Sequence, residues 1–276
     1  PAIVLALFFT FSRSGTGAAI AGLIIFMVFT GDRIKAGLAL IIAASGAAVL
    51  IATASGKSAL ENGLTGSVAS SQGGDLMLLT MAVCIIAAIV HAGTDWTLTN
   101  RRRPRWLRPT KGESKALAIG GIVVFVLAAI ALGGLGQVSD GWQQFKSVDN
   151  PGSGSARLES AAGNGRYQYW SSALDQLSSE PIKGTGSGTF EFWWARNGDI
   201  PGFVRDTHSL YFQTAGELGA IGLLLLVGFL GLTFFGGAYR AIHASTRRRG
   251  QIAAALGGCV AFCVAAGFDW TWQIAA

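Results

Sequence analysis

The sequence predicts an all-α fold, a polytopic membrane helix bundle with one large polar loop on its outer side. Three observations predict it. The 276 residues are 51% hydrophobic and only 13% charged, about half the roughly 25% charge of soluble domains. Mean hydropathy is +0.47. The apolar residues also fall in runs of about 20, the helix length that crosses roughly 30 Å of hydrocarbon. So apolar a chain would expose too much hydrocarbon to stay in water. The same composition excludes a disordered protein, a disulfide scaffold and a collagen-like repeat.

The spans follow in order. Residues 36–53, 75–93, 116–136, 209–239 and 251–268 are each long and apolar enough to cross. Residues 14–30 are slightly short, and residues 1–11 make about half a span. Each run is read as helical because lipid offers no partner to an unpaired backbone amide. The chain opens at Pro1 inside an apolar stretch and stops at Ala276 soon after another. It reads as a piece of a longer protein whose first helix is truncated. The expected division is 1–136 for N-terminal membrane helices, 137–207 for the outer loop and 208–276 for C-terminal membrane helices.

Lys and Arg set the orientation. Arg33 and Lys35 occupy one connection, Arg101, Arg102, Arg103, Arg105 and Arg108 crowd a second, and Arg240, Arg247, Arg248 and Arg249 a third. These alternate with poorly basic connections and are assigned to the cytoplasmic side. The net charge of +6 therefore reflects membrane topology, and no nucleic-acid partner is expected. Gly56-Lys57-Ser58 imitates the end of a phosphate-binding loop, but Ile51 stands where its first glycine belongs. Cys84, Cys259 and Cys263 lie in apolar runs and read as small buried hydrophobes.

The outer loop, 137–207, is too long and polar to be a mere connector. Asn164 is expected to cap a helix that runs to about Ser179 and stops before Pro181. Arg166, Trp170, Leu174 and Leu177 share one face of it, broadened by Tyr169 and Ala173. Such a helix suits the membrane surface or the bundle. The glycine run at Gly184, Gly186 and Gly188 reads as a flexible turn rather than a phosphate cradle. Trp193 and Trp194 fit either a membrane-interface belt or a sugar-stacking platform.

Three histidines are present, and His208 alone lies on the outer side, at the mouth of a span. A neutral imidazole there can take a proton from a hydroxyl, although a lone histidine is more often structural. No second His or Cys shares that side, so no metal is expected. Gln213 and Glu217 are one turn apart on the same helix. Glu217 lies on the opposite face from His208 and is a poor partner for it. An acid in an apolar span usually has a partner or a job. Arg13 is a candidate cation for Glu217 or for an anionic ligand, and Asp269 is a second acid at a span's outer end.

The stretch from Asp206 to Leu223 resembles the signature of the O-antigen ligase and polymerase superfamily. It has a histidine (His208), a small polar residue (Ser209), an aromatic (Tyr211) and a glutamine (Gln213). Glu217-Leu218-Gly219 and Gly222-Leu223 then open a hydrophobic span. Ser12-Arg13-Ser14-Gly15, Arg166 to Trp170 followed by Pro181 and Gly184-Thr185-Gly186, and Phe268-Asp269 agree in order. The resemblance implies a multi-pass glycosyltransferase of the GT-C kind, at the outer face of the bacterial cytoplasmic membrane. It implies transfer of a glycan from an undecaprenyl-diphosphate carrier to an acceptor hydroxyl on a glycan, lipid-linked sugar or protein, in cell-surface polysaccharide biosynthesis. No cofactor is implied. His208 matches the catalytic histidine, and Arg13 and Arg166 match arginines associated with the diphosphate. Gln213 and Glu217 match signature positions, and Asp269 is a possible supporting residue. The competing reading is a transporter or flippase for a lipid-linked or anionic substrate. The lack of a convincing internal repeat, and the gathering of polar residues at one face, favour an enzyme.

Overall fold

The computed structural model describes residues 1–100, 134–149 and 156–273. Most of the expected 116–136 span and the basic run beginning at Arg101 lie outside them. Among the described residues the regular structure is entirely helical, and four helices are long and apolar enough to cross a membrane. The chain is a multi-pass membrane helix bundle.

The helices in chain order are α1 (Ala2–Phe9), α2 (Arg13–Phe29), α3 (Arg33–Ala54), α4 (Ser58–Glu61), α5 (Ser67–Asn100) and α6 (Gly134–Lys146). There follow α7 (Ala156–Glu159), α8 (Arg166–Ser179), α9 (Phe190–Asn197), α10 (Leu210–His243) and α11 (Thr246–Phe268). The four long apolar helices are α3, α5, α10 and α11, with α2 a shorter apolar helix. Each coincides with a run expected from hydropathy. Leu224, Leu225, Leu232 and Phe235 of α10 are all at least 70% exposed. An apolar face without protein against it is what a lipid-facing helix presents.

The chain divides into two compact units. The first takes Pro1–Leu5 and Ile34–Gln144. In it α3 buries Ala47, Leu50 and Ala54. Lys35 Nζ reaches Asp95 Oδ1 at 2.6 Å and Thr99 Oγ1 at 2.7 Å, tying α3 to the end of α5.

The second unit takes Ala6–Arg33 and Phe145–Ala276. Its framework is α2 packed on α11, with α10 against α11. Small residues allow the close approach. A Cβ placed on Gly22 would lie 2.7 Å from Gly257 O, and one on Gly257 equally near Gly22 O. Without side chains there, the backbones touch and dispersion contacts multiply, which is how helices associate where lipid removes the hydrophobic drive. Ser12 caps α2 by accepting from the Gly15 amide at 3.0 Å. At the other end Arg249 Nε donates to Phe29 O at 2.8 Å. Below the crossing, Ala238, Ala241 and Leu256 form a cluster with Ile25, Phe29 and Phe234.

Helix α10 has 34 residues, about 51 Å at 1.5 Å per residue, far more than the hydrocarbon needs. It is broken at Gly219, where φ is 63° and ψ −165°. Residues 220–243 alone, about 36 Å long, suffice to cross. The segment before the break packs on α8. Glu217 thus precedes the break and is not adrift in an apolar span.

Gly22→Leu and Gly257→Leu are expected to lower the apparent melting temperature in detergent, by the equivalent of about 1–3 kcal/mol. Gly231→Leu, at a glycine with open space around it, is expected to leave it unchanged.

Candidate functional site at the head of the second unit

The site is built around one turn, Ala162-Gly163-Asn164-Gly165. Asn164 (φ 51°) and Gly165 (φ 82°) are both left-handed, so the chain reverses sharply into α8. Asn164 is not the cap that the sequence predicts. Gly165 holds the cap position, and no side chain accepts the first amides. A Cβ on Gly165 would meet the Tyr169 hydroxyl at 2.6 Å, so the Tyr169 ring folds back over the start of its own helix.

Two arginines fasten this turn. Arg13, the first residue of α2, donates from Nη2 to Ala162 O at 2.6 Å. Arg166, the first residue of α8, lies with Nη1 3.4 Å from Gly163 O and donates from Nε to Phe268 O at 2.8 Å. Its Nη2 lies 3.9 Å from Asp269 Oδ2. The guanidiniums therefore reach adjacent carbonyls, and Arg166 also satisfies a carbonyl left over at the end of α11. Asp269, unexplained by sequence, is the ion-pair partner of Arg166. Burial, together with repulsion from Arg157, pulls the Arg166 guanidinium below its ordinary pKa, with Asp269 working the other way. Arg157, on α7, is a third cation that the sequence reading did not single out. Two helix N-termini, those of α2 and α8, add partial positive charge here.

His208 joins this patch through Tyr169. The two rings lie 5.6 Å apart, tilted by 37°. Burial raises the Tyr169 pKa, opposed by Arg166 and assisted by Asp206. His208 has a left-handed φ of 55° and a side chain 31% exposed. Asp206 Oδ1 accepts from the His208 amide at 3.0 Å and lies 3.1 Å from Nδ1. Burial acts to raise the Asp206 pKa, but its hydrogen bonds with His208 outweigh that and hold it below the usual carboxylate value. The sequence reading passed over Asp206. The Asp-x-His spacing is that of an Asx turn, and that signal was available.

Gln213 and Glu217 form a separate cluster further along α10. Glu217 is 5% exposed. Its Oε2 accepts from the Gly188 amide at 2.9 Å, and its Oε1 from the Phe190 amide at 3.2 Å and from Gln213 Nε2 at 3.3 Å. Its partner is thus not Arg13 but the backbone entering α9. The glycine run is no flexible turn either. Gly184, Gly186 and Gly188 all have positive φ, and the loop clasps the break in α10. Gly186 donates to Glu217 O at 2.8 Å, and Ala220 and Ile221 donate to Pro181 O and Ile182 O at 2.9 and 3.2 Å. Amides freed by the break are thereby paired, and the Glu217 carboxyl takes the amides of Gly188 in the loop and Phe190 at the start of α9. A Cβ on Gly219 would lie 2.5 Å from Gly184 N.

The buried face of α8 matches the expected one at Tyr169, Trp170 and Ala173 and departs from it elsewhere. Ser172, Ala173 and Gln176 are buried, whereas Leu174 is 47% exposed. Gln176 Nε2 donates to Thr185 Oγ1 at 2.6 Å. Trp170 does face the bundle, stacked on Phe212 at 5.0 Å with Nε1 donating to Thr207 O. Trp194 belongs to the core with Phe190 and Ala173, and donates to Gly202 O. It is neither belt nor platform.

These features define a multi-pass membrane protein with a cationic patch and a histidine held at the head of one helical unit. A family model described as O-antigen ligase matches residues 64–227, and the chain belongs to that family. His208, Arg166, Gln213 and Glu217 fall inside the match, and Arg13 and Asp269 outside it. Neither a curated protein nor a solved structure matches the chain.

Glu217→Ala leaves the Gly188 and Phe190 amides without their acceptor and is expected to cost about 2–4 kcal/mol. Trypsin cleavage after Lys183, inside the clasp, is expected to quicken about tenfold or more, and Arg13→Lys to leave it at the wild-type rate.

Proposed function

We propose that the protein is a membrane glycosyltransferase of cell-surface polysaccharide biosynthesis. It moves a glycan from an undecaprenyl-diphosphate carrier to an acceptor hydroxyl at the outer face of the bacterial cytoplasmic membrane. Family membership supports a glycan ligase-like activity. The observation that carries the finer reading is the meeting of Arg13 and Arg166 on adjacent carbonyls, with His208 joined to them through Tyr169.

The chemistry calls for these groups. Breaking the sugar–diphosphate bond leaves negative charge on the leaving oxygens, and cations fixed beforehand lower that cost without reorganising. Arg13 makes one hydrogen bond to the turn, so most of its fork is available to a diphosphate. Arg166 is tied on three sides and serves chiefly as a fixed charge. The acceptor hydroxyl must lose a proton as it attacks, and His208 is the general base. A lipid carrier demands a site at the membrane surface. The head of α10, above the break at Gly219, is where this reading puts it. The outer-face assignment of the 137–207 loop rests on the alternation of basic connections.

The test is transfer by purified protein from a defined polyprenyl-diphosphate glycan. His208→Ala is expected to lower the rate about 10²–10⁴-fold. Arg13→Lys, which keeps charge but loses the bidentate fork, is expected to lower it about tenfold. Wild-type transfer by the His208 variant would end the base assignment.

A further inference from the structure

We propose that Asp206 is a positioning residue for His208, holding its imidazole as the Nδ1–H tautomer so that Nε2 carries the lone pair. The proposal rests on the glycan-transfer reading above and adds a residue to it. Nδ1 faces two oxygens of the same residue, Asp206 Oδ1 at 3.1 Å and the Asp206 carbonyl at 3.3 Å. A carbonyl has no proton to give, and the Asp206 carboxyl, with its lowered pKa, gives none at neutral pH. Nδ1 is therefore the nitrogen that donates, and the acceptor's proton can go only to Nε2.

The backbone is arranged around this contact. The His208 amide donates to the same Asp206 Oδ1 at 3.0 Å, an Asx turn, and His208 itself adopts a left-handed φ of 55°. A residue with a Cβ holds such a φ at a cost of about 1–2 kcal/mol, so its neighbours must enforce it. They do. Thr207 and Ser209 are fully buried on either side. Thr207 Oγ1 donates to Ser209 O at 2.8 Å, and Trp170 Nε1 donates to Thr207 O at 3.1 Å. The charged and titratable groups around Asp206 are His208 itself, Arg205 beside it in the chain, and Tyr169 from α8 with Arg166 behind it.

In the reaction the acceptor oxygen forms its bond to the anomeric carbon while its proton passes to His208 Nε2. The carbon–oxygen bond to the diphosphate breaks, and its electron pair leaves with the carrier. The imidazolium so formed is stabilised by the Asp206 carboxylate, which stays ionised throughout.

The experiment compares wild type, Asp206→Asn, Asp206→Glu and His208→Ala in transfer from the defined lipid-linked donor. ¹⁵N spectra of the histidine rings are recorded on the same samples, with His208→Ala identifying the His208 signals. Asp206→Asn is expected to lower kcat about 10–10³-fold with donor KM within about twofold, because the wrong tautomer is populated. The His208 signals are expected to move from the Nδ1–H pattern toward a mixture of tautomers. Asp206→Glu is expected to restore part of both. Wild-type kcat in Asp206→Asn, with His208→Ala inactive, overturns the Asp206 role and leaves the base assignment standing. A lower kcat with the tautomer pattern unchanged also overturns it. Activity in His208→Ala removes the reading beneath it.

Discussion

Two guanidiniums from helices far apart in the chain close on neighbouring carbonyls, those of Ala162 and Gly163. A turn in which consecutive residues are left-handed has no regular ladder to hold it, and its carbonyls need donors. Arg13 and Arg166 supply them. In doing so they bring the starts of α2 and α8 and the end of α11 to one place. Tyr169 is set by that turn, and His208 lies against Tyr169. Were the turn released, Arg166 would also leave Phe268 O, and the cations would lose their fixed relation to the histidine.

A second fixing point lies at the broken helix. Gly219 interrupts α10 and frees backbone groups that need other partners. The Pro181–Gly188 loop pairs with them, and the Glu217 carboxyl draws in the Gly188 and Phe190 amides. Buried donors without an acceptor are costly, so the loop, the break and the acid make one unit. The Glu217 carboxyl is thus held by the Gly188 and Phe190 amides and Gln213.

Much of the fold was legible in the sequence, because a span needs only length and hydropathy and the described spans meet both. The motifs single out Arg13, Arg166 and His208 as candidates, and no periodicity links Arg13 to Arg166, which the fold brings to adjacent carbonyls. What stayed hidden depends on backbone conformation. Asn164 has the right chemistry for a cap, yet its left-handed φ hands that position to Gly165. Leu174 belongs to the apolar stripe yet is exposed, while Gln176, outside the stripe, is buried and reaches Thr185. The glycine run looks flexible by composition, and its hydrogen bonds to α8 and α10, which composition does not show, hold it in place. Asp206 precedes His208 by two residues, the spacing of an Asx turn, but spacing alone does not show that its carboxylate also lies beside Nδ1.

The most direct measurement of the central claim, that the arginines hold a diphosphate beside the histidine, separates binding from transfer. The affinity of purified protein for a polyprenyl diphosphate is measured in detergent for wild type, Arg13→Ala and His208→Ala. The account predicts at least about a tenfold loss for Arg13→Ala, the equivalent of about 1.4 kcal/mol, and wild-type affinity for His208→Ala. Undiminished binding in the arginine variant, or lost binding in the histidine variant alone, would contradict it.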